Sequence, residues 1–129
     1  MSESLRVFVS GPYSAPTQKE IERNIAIAIR NGADVARAGH FPVVPHCVGY
    51  HVDYAHERYH GAELGYDYWI AWCLSELATC DVVLCYAQSP GADIEMSHAK
   101  ALGIPVVGLV DDLAGIRKRD GGLRNGRVA

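Results

Sequence analysis

The sequence predicts an α/β domain of three layers: a flavodoxin- or Rossmann-like open parallel sheet of about 4–5 strands with helices on both faces. Two observations carry this. Four short apolar, β-branched runs, at 5–10, 41–44, 81–86 and 104–110, are continuous rather than alternating, which is the pattern of strands covered on both sides. Segments with helical spacing separate them, so the order reads β-α-β, a long loop, then α-β-α-β. Such an alternation implies right-handed crossovers between parallel strands.

The first strand, 5–10, runs into Gly11-Pro12, a pair that turns the chain. A helix over 17–38 follows, with Ile21, Ile25, Ala28, Ile29, Gly32, Val35 and Ala36 along one stripe. Thr17 and Glu20 have capping-box spacing, and Gly39 offers the left-handed position that stops a helix. After the second strand, 46–65 reads as a loop of about twenty residues, long enough to suggest a lid. A second helix over 65–79 carries Ile70, Cys73, Leu74 and Leu77 at helical spacing. The third strand, a helix over 92–102 with Asp93 as its cap, and the last strand complete the order. Asp81 begins a strand, so it belongs at the opposite edge from the strands' carboxyl ends, as a structural cap.

At 129 residues and 14.0 kDa the chain has the size of one domain, 1–129, with a basic Gly/Arg-rich tail from about 112. A content of 49% hydrophobic and 21% charged residues argues against bulk disorder. No apolar run approaches the ~20 residues needed to cross a bilayer, and the amino end has no signal-like segment, so a cytoplasmic protein with no membrane partner is expected. A net charge of -3 supplies no overall basic field for a nucleic-acid polymer. Arg117, Lys118, Arg119, Arg124 and Arg127 form a local exception, read as a solvated tail or as an anion or subunit contact. Cys47, Cys73, Cys80 and Cys85 include no Cys-x-x-Cys pair and read as small core residues kept reduced.

In such folds ligands bind beyond the carboxyl ends of the strands. Three segments should meet there: Ser10-Gly11-Pro12-Tyr13-Ser14, Tyr66-Asp67-Tyr68, and 89–95. In the last, Ser89 and Gly91 precede a helix whose free N–H groups suit a phosphate, and Glu95 falls in what this spacing makes its first turn. Glu95 reads either as a helix-end charge or as a reacting carboxylate, and Asp67 either as an N-cap or as a second carboxylate. With the phenol of Tyr13 these fit acid/base-assisted displacement at a sugar carbon. His46, directly after Val44-Pro45, is the histidine placed to touch a ligand. The other histidines, His51, His56 and His60, match no usual zinc spacing. Tyr50, Tyr54, Tyr59, Tyr66 and Tyr68 suit nucleobase stacking, a satellite core or a subunit interface. Neither Gly-x-Gly-x-x-Gly nor a Walker-type loop is present.

Taken together, Val9-Ser10-Gly11-Pro12-Tyr13-Ser14, Val44-Pro45-His46, Asp67-Tyr68-Trp69, Cys80-Asp81-Val82-Val83 and Ser89-Pro90-Gly91-Ala92-Asp93-Ile94-Glu95 resemble the nucleoside 2-deoxyribosyltransferase-like superfamily over residues 5 to 110. The closer likeness is to 2'-deoxynucleoside 5'-phosphate N-hydrolases and cytidylate N-glycosidases. The resemblance implies a flavodoxin-like fold, a homodimer or higher oligomer, and no metal or organic cofactor. It makes Glu95 the nucleophile, Tyr13 its orienting partner and Asp67 an aid to proton delivery. Ser10, Gly11, Ser89, Gly91 and His46 become the substrate-binding set. The transferases hold a free 5'-hydroxyl with an acidic residue in the loop where Ser89 stands, so Ser89 implies a 5'-monophosphate. Base exchange is the alternative, and a non-catalytic nucleotide sensor the second. In the family a neighbouring subunit's C-terminal region completes the site, which here points to Asn125 or a tail arginine. The cytokinin-activating phosphoribohydrolases rank behind these, because their motif needs glycines where Ala92 and Asp93 stand.

Overall fold

The structure is a computed structural model that describes residues 3–119. Its elements run β1 (Arg6–Ser10), α1 (Gln18–Arg37), β2 (Phe41–Val43), α2 (Pro45–His60), α3 (Tyr66–Leu77), β3 (Val82–Cys85), α4 (Pro90–Ala101) and β4 (Val106–Val107), then a 3₁₀ helix, Val110–Gly115. The four strands are all parallel in the order β2-β1-β3-β4. The chain leaves β1 in one direction to make β2 and in the other to make β3 and β4. Crossovers of one hand therefore put α1 on one face and α3 and α4 on the other.

Strand alternation shows this directly. Val7 and Val9 of β1 and Val82 and Leu84 of β3 pack with Val35 of α1 and Leu113 of the 3₁₀ helix. Phe8 and Val83 point the other way, onto Leu77 of α3 and Ala99 of α4. Continuous apolar strands thus feed two cores, as their pattern required. Edge strand β2 departs from it: Phe41 and Pro42 are exposed and only Val43 joins a core. The last strand is two residues long rather than seven, because Gly108 and Leu109 bend away and the chain turns into the 3₁₀ helix.

The capping box of α1 is present: the Glu20 N–H donates to Thr17 Oγ1, and Gly39 follows the helix at φ 94°. The largest difference lies at 46–65, which is not a loop. Pro45 opens α2 there, and Gly61 ends it in the left-handed conformation. The helix was hidden because its buried side is mostly polar or ring-bearing residues, so no apolar period stands out. Among the described residues no helix is long and apolar enough to cross a membrane.

The opposite edge of the sheet is tied by Asp81, 5% exposed, which accepts from the backbone N–H groups of Arg6 (2.7 Å) and Arg119 (2.7 Å) and from Lys118 Nζ (3.2 Å). Arg119 also donates to the carbonyls of Ala78 and Cys80. Within the described residues, 113–119 packs on the domain through Leu113, Lys118 and Arg119. Arg124, Asn125 and Arg127 lie outside the described residues. Burial pushes the Asp81 carboxyl up, but its N–H and ammonium partners outweigh this and hold it below the usual range. Asp81→Ala strands three donors, so we expect a loss of about 3 kcal/mol in denaturant unfolding. The contribution of Asp81 is present above the ordinary aspartate range and is lost as pH falls through the depressed value. The difference between wild type and variant should therefore narrow in acid.

Candidate active site

The strand order reverses between β1 and β3, and the crevice beyond their carboxyl ends is where doubly wound sheets bind ligands. Ser10 is the last residue of β1 and shares the Phe8 face, toward α4. Its Oγ donates to Glu95 Oε1 at 2.6 Å, and Glu95 is 7% exposed. Burial pushes the Glu95 carboxyl above its ordinary range. The Ser10 hydroxyl, at 2.6 Å, and the neighbouring Cys73 thiol pull it part of the way back. Among the described residues no Lys or Arg forms an ion pair with it.

Glu95 does not sit in the first turn of α4. The helix starts at Pro90, its cap is Ser89, and Asp93 is an exposed residue of the first turn rather than the cap. Ser89 Oγ accepts from the Ala92 N–H at 3.1 Å, which leaves its own O–H free to donate. The Gly91 N–H belongs to the first turn, whose donors have no partner within the helix. Ser89 and Gly91 thus supply the donors expected of them, while Pro90 between them has none.

Gly11 permits a close approach. A Cβ there would fall 2.1 Å from Cζ of Tyr86, the residue after β3, whose ring lies against the turn and whose hydroxyl is buried without a partner. Burial, with the charges of Cys85 and Glu95 nearby, pushes the Tyr86 phenol up to about 12. His46 fixes the other side of the turn. Its Nε2 lies 3.1 Å from both the Gly11 and the Pro12 carbonyl, so Nε2 carries the proton. Burial holds His46 below its usual pKa, against the opposing pull of those carbonyls, and its Nδ1 is buried without a partner. His46 is thus spent on the turn, which carries Tyr13 and places its ring 5.9 Å from the imidazole.

Tyr13 is half-buried, and Asn24 holds its carbonyl at 3.0 Å. Burial pushes its phenol up, and Asp53, Tyr50 and Glu63 add to this. Those residues belong to a wall that the sequence did not reveal. Asp53 accepts from the Leu64 N–H (2.8 Å) and Trp69 Nε1 (3.1 Å), pinning the α2–α3 connection. Tyr50 accepts from Gln18 Nε2 at 2.5 Å. Tyr54, Tyr59, Tyr66 and Tyr68 are exposed, leaving Tyr50 as the ring of that group beside Tyr13. Asp67 is the second residue of α3 at the same edge, not its cap, which is Gly65; it is exposed, and about 120° around the helix from Cys73. No described hydrogen bond joins it to Glu95 or Tyr13. Among the described residues no three His, Cys, Asp or Glu side chains converge on a metal-sized space.

Residues 5–108 match a family model described as a domain of unknown function, DUF7768. The chain belongs to the DUF7768 family. The matched span contains every candidate site residue named above except Asn125 and the tail arginines. No curated protein and no solved structure matches the chain.

Two outcomes test this DUF7768 site without a substrate. A carboxyl raised by burial contributes stability that is full below the ordinary glutamate range and is lost as pH climbs through the raised value. Glu95→Gln should therefore melt higher than wild type at neutral pH, by about 1 kcal/mol, and the gain should vanish in acid. Gly11→Ala should cost about 1–3 kcal/mol. Paired with Tyr86→Ala the two losses should sum to less than their separate values, as a double-mutant cycle in urea would record.

Proposed function

We propose that the chain is an N-glycosidase that hydrolyses a nucleoside 5'-monophosphate to the free base and a (deoxy)ribose 5-phosphate. The observation that carries this reading is the carboxylate of Glu95, buried at the switch point, held by an uncharged donor and paired with no described cation. A carboxylate kept for structure is normally neutralised by a cation or by several N–H groups, as Asp81 is. One left without a described cation at the carboxyl edge of the sheet suits the capture of an oxocarbenium-like carbon.

In this mechanism Glu95 attacks the anomeric carbon from the face opposite the base. The C–N bond breaks with its electron pair going to the base, which takes a proton, and a glycosyl ester forms on Glu95. Water then adds at the same carbon and releases the sugar phosphate and the carboxylate. Ser89 O–H, the Gly91 N–H and the positive end of α4 would hold the phosphate. Tyr13, on its anchored turn, would contact the sugar, with Ser10 and Gly11 beside it and His46 behind. Asp67, at the rim, is the group available to deliver the proton. The resemblance to the nucleoside 2-deoxyribosyltransferase-like superfamily supports this assignment and adds a second subunit of a homodimer or larger oligomer. Four free thiols suit the reducing cytoplasm.

One observation favours a second reading, base exchange on a nucleoside with a free 5'-hydroxyl. Asp93 stands exposed in the first turn of α4, where its charge opposes a phosphate. Base release from matched nucleosides and 5'-monophosphates, in the ribo and deoxy series, separates the two. We expect monophosphates alone to be cleaved and Glu95→Ala to lose about a thousandfold in kcat/KM. Faster reaction of nucleosides, with incorporation of an added labelled base, would transfer the assignment to base exchange. Tight nucleotide binding with no release by wild type would leave a sensor.

A further inference from the structure

The geometry points to Cys73 as a positioning residue for Glu95, an S–H donor on α3 that completes a polar layer begun by Ser10; its catalytic meaning rests on Glu95 being the nucleophile. The argument is one of register. Phe8 of β1, Leu77 of α3 and Ala99 of α4 pack together in the apolar core between the sheet and these helices. One step from each toward the carboxyl edge of the sheet keeps the same face: two residues along a strand, four back along a helix. Those steps lead from Phe8 to Ser10, from Leu77 to Cys73 and from Ala99 to Glu95. An apolar triad is thus capped by a hydroxyl, a thiol and a carboxylate. Two sides of the upper layer meet as Ser10 Oγ and Glu95 Oε1, 2.6 Å apart. Cys73 is half-buried against the same core, on a helix that packs on α4.

The chemistry fits a donor rather than a nucleophile. Burial, reinforced by the neighbouring Glu95 charge, pushes the Cys73 thiol up to about 12, so it keeps its proton wherever Glu95 is ionised. A carboxylate accepts several hydrogen bonds, and Ser10 supplies one. The groups that bear on Glu95 are Ser10 from β1, Cys73 from α3, and Cys85 and Tyr86 from the end of β3. Of these, Ser10 and Cys73 favour the ionised form, whereas charge on Cys85 or Tyr86 would oppose it. Burial dominates and Ser10 opposes it first; the thiol adds to Ser10 in deciding how much of Glu95 is an anion at a given pH.

The test titrates Glu95 in the full chain by carbon NMR of labelled glutamate, with Glu95→Gln identifying its resonance and no substrate present. Cys73→Val keeps the volume and removes the donor; Cys73→Ser keeps a donor. We expect the Glu95 midpoint to rise in Cys73→Val and to stay at or below the wild-type value in Cys73→Ser. In kcat/KM the acid limb should move up in Cys73→Val, with about a tenfold loss below the wild-type midpoint that recovers above it, and Cys73→Ser should restore the wild-type limb. Midpoints identical in all three proteins, or displaced equally in both variants, would overturn the proposal. Circular dichroism confirms folding, and Cys73→Ala replaces Cys73→Val if the latter does not fold. A midpoint that moves as expected in a protein that cleaves nothing would sink the glycosidase reading while leaving Cys73 as the donor to Glu95.

Discussion

Withdrawing the Glu95 carboxylate from water is the constraint around which this end of the domain is organised. An isolated buried charge would simply take up a proton, so the surrounding elements must stabilise the anion without neutralising it. The Ser10 hydroxyl does so from the central strand, at a distance short enough for a charge-assisted hydrogen bond. That requires β1 to end with its side chain facing α4, and hence the register in which Val7 and Val9 take one core and Phe8 the other. A slip of one residue would turn Ser10 to the α1 face and leave Glu95 against Val9. The two edges of the sheet accordingly use their aspartate and glutamate in opposite ways. Asp81 is surrounded by donors and a cation that favour its ionised form; Glu95 has no described ion pair, and burial pushes its carboxyl above the ordinary range.

The turn at Gly11-Pro12 shows a second use of packing for placement. Tyr86 presses on Gly11 from one side and His46 accepts the load on the other, through two carbonyls that no neighbouring strand uses. Both rings leave a buried polar atom without a partner, Tyr86 Oη and His46 Nδ1. Unpaired buried groups cost about 1–3 kcal/mol each, and a fold tolerates them where it gains something else. Here the gain is a rigid platform for Tyr13, whose backbone Asn24 also holds.

How much of this was legible in the sequence depended on whether the signal was local. The α1 boundaries were, because Thr17, Glu20 and Gly39 act within a turn of themselves. The role of Asp81 was readable from its place before a strand. The helix α2 was not, since a face made of His46, Gly49, Tyr50, Asp53 and His56 carries no hydrophobic period. Asp53 gave no sign, because its partners are eleven and sixteen residues away. For Glu95 the sequence points to the wrong turn, because Asp93 has the look of a cap when Ser89, four residues earlier, is the cap. Cys73 reads as core and does pack against the Phe8 core, and its proposed part in holding Glu95 leaves no sequence signal, because a thiol in an apolar stripe has the same pattern as an alanine. Only the register between three elements distinguishes it.

The misplaced turn has a physical consequence. A carboxylate in the first turn of a helix is stabilised by the macrodipole and by free N–H groups, which lower its basicity and its reactivity together. Glu95 is six residues past the cap, roughly 9 Å along the axis, where that influence has faded. The amino end of α4 is thereby left without Glu95, though Asp93 stands exposed in its first turn, and the Glu95 carboxyl takes its hydrogen bond from Ser10 instead. One helix can then present two opposite electrostatic faces to a single ligand: donors at Ser89 and Gly91 for a negatively charged group, and an anion one and a half turns later for a carbon that becomes positive. A dianionic phosphate and a nucleophilic carboxylate would repel each other if they shared a turn. Spacing them along the axis of α4 would suit the phosphorylated sugar we propose as substrate, with its charge at one end and its reacting carbon at the other, and Asp93 is the first-turn carboxylate that works against it.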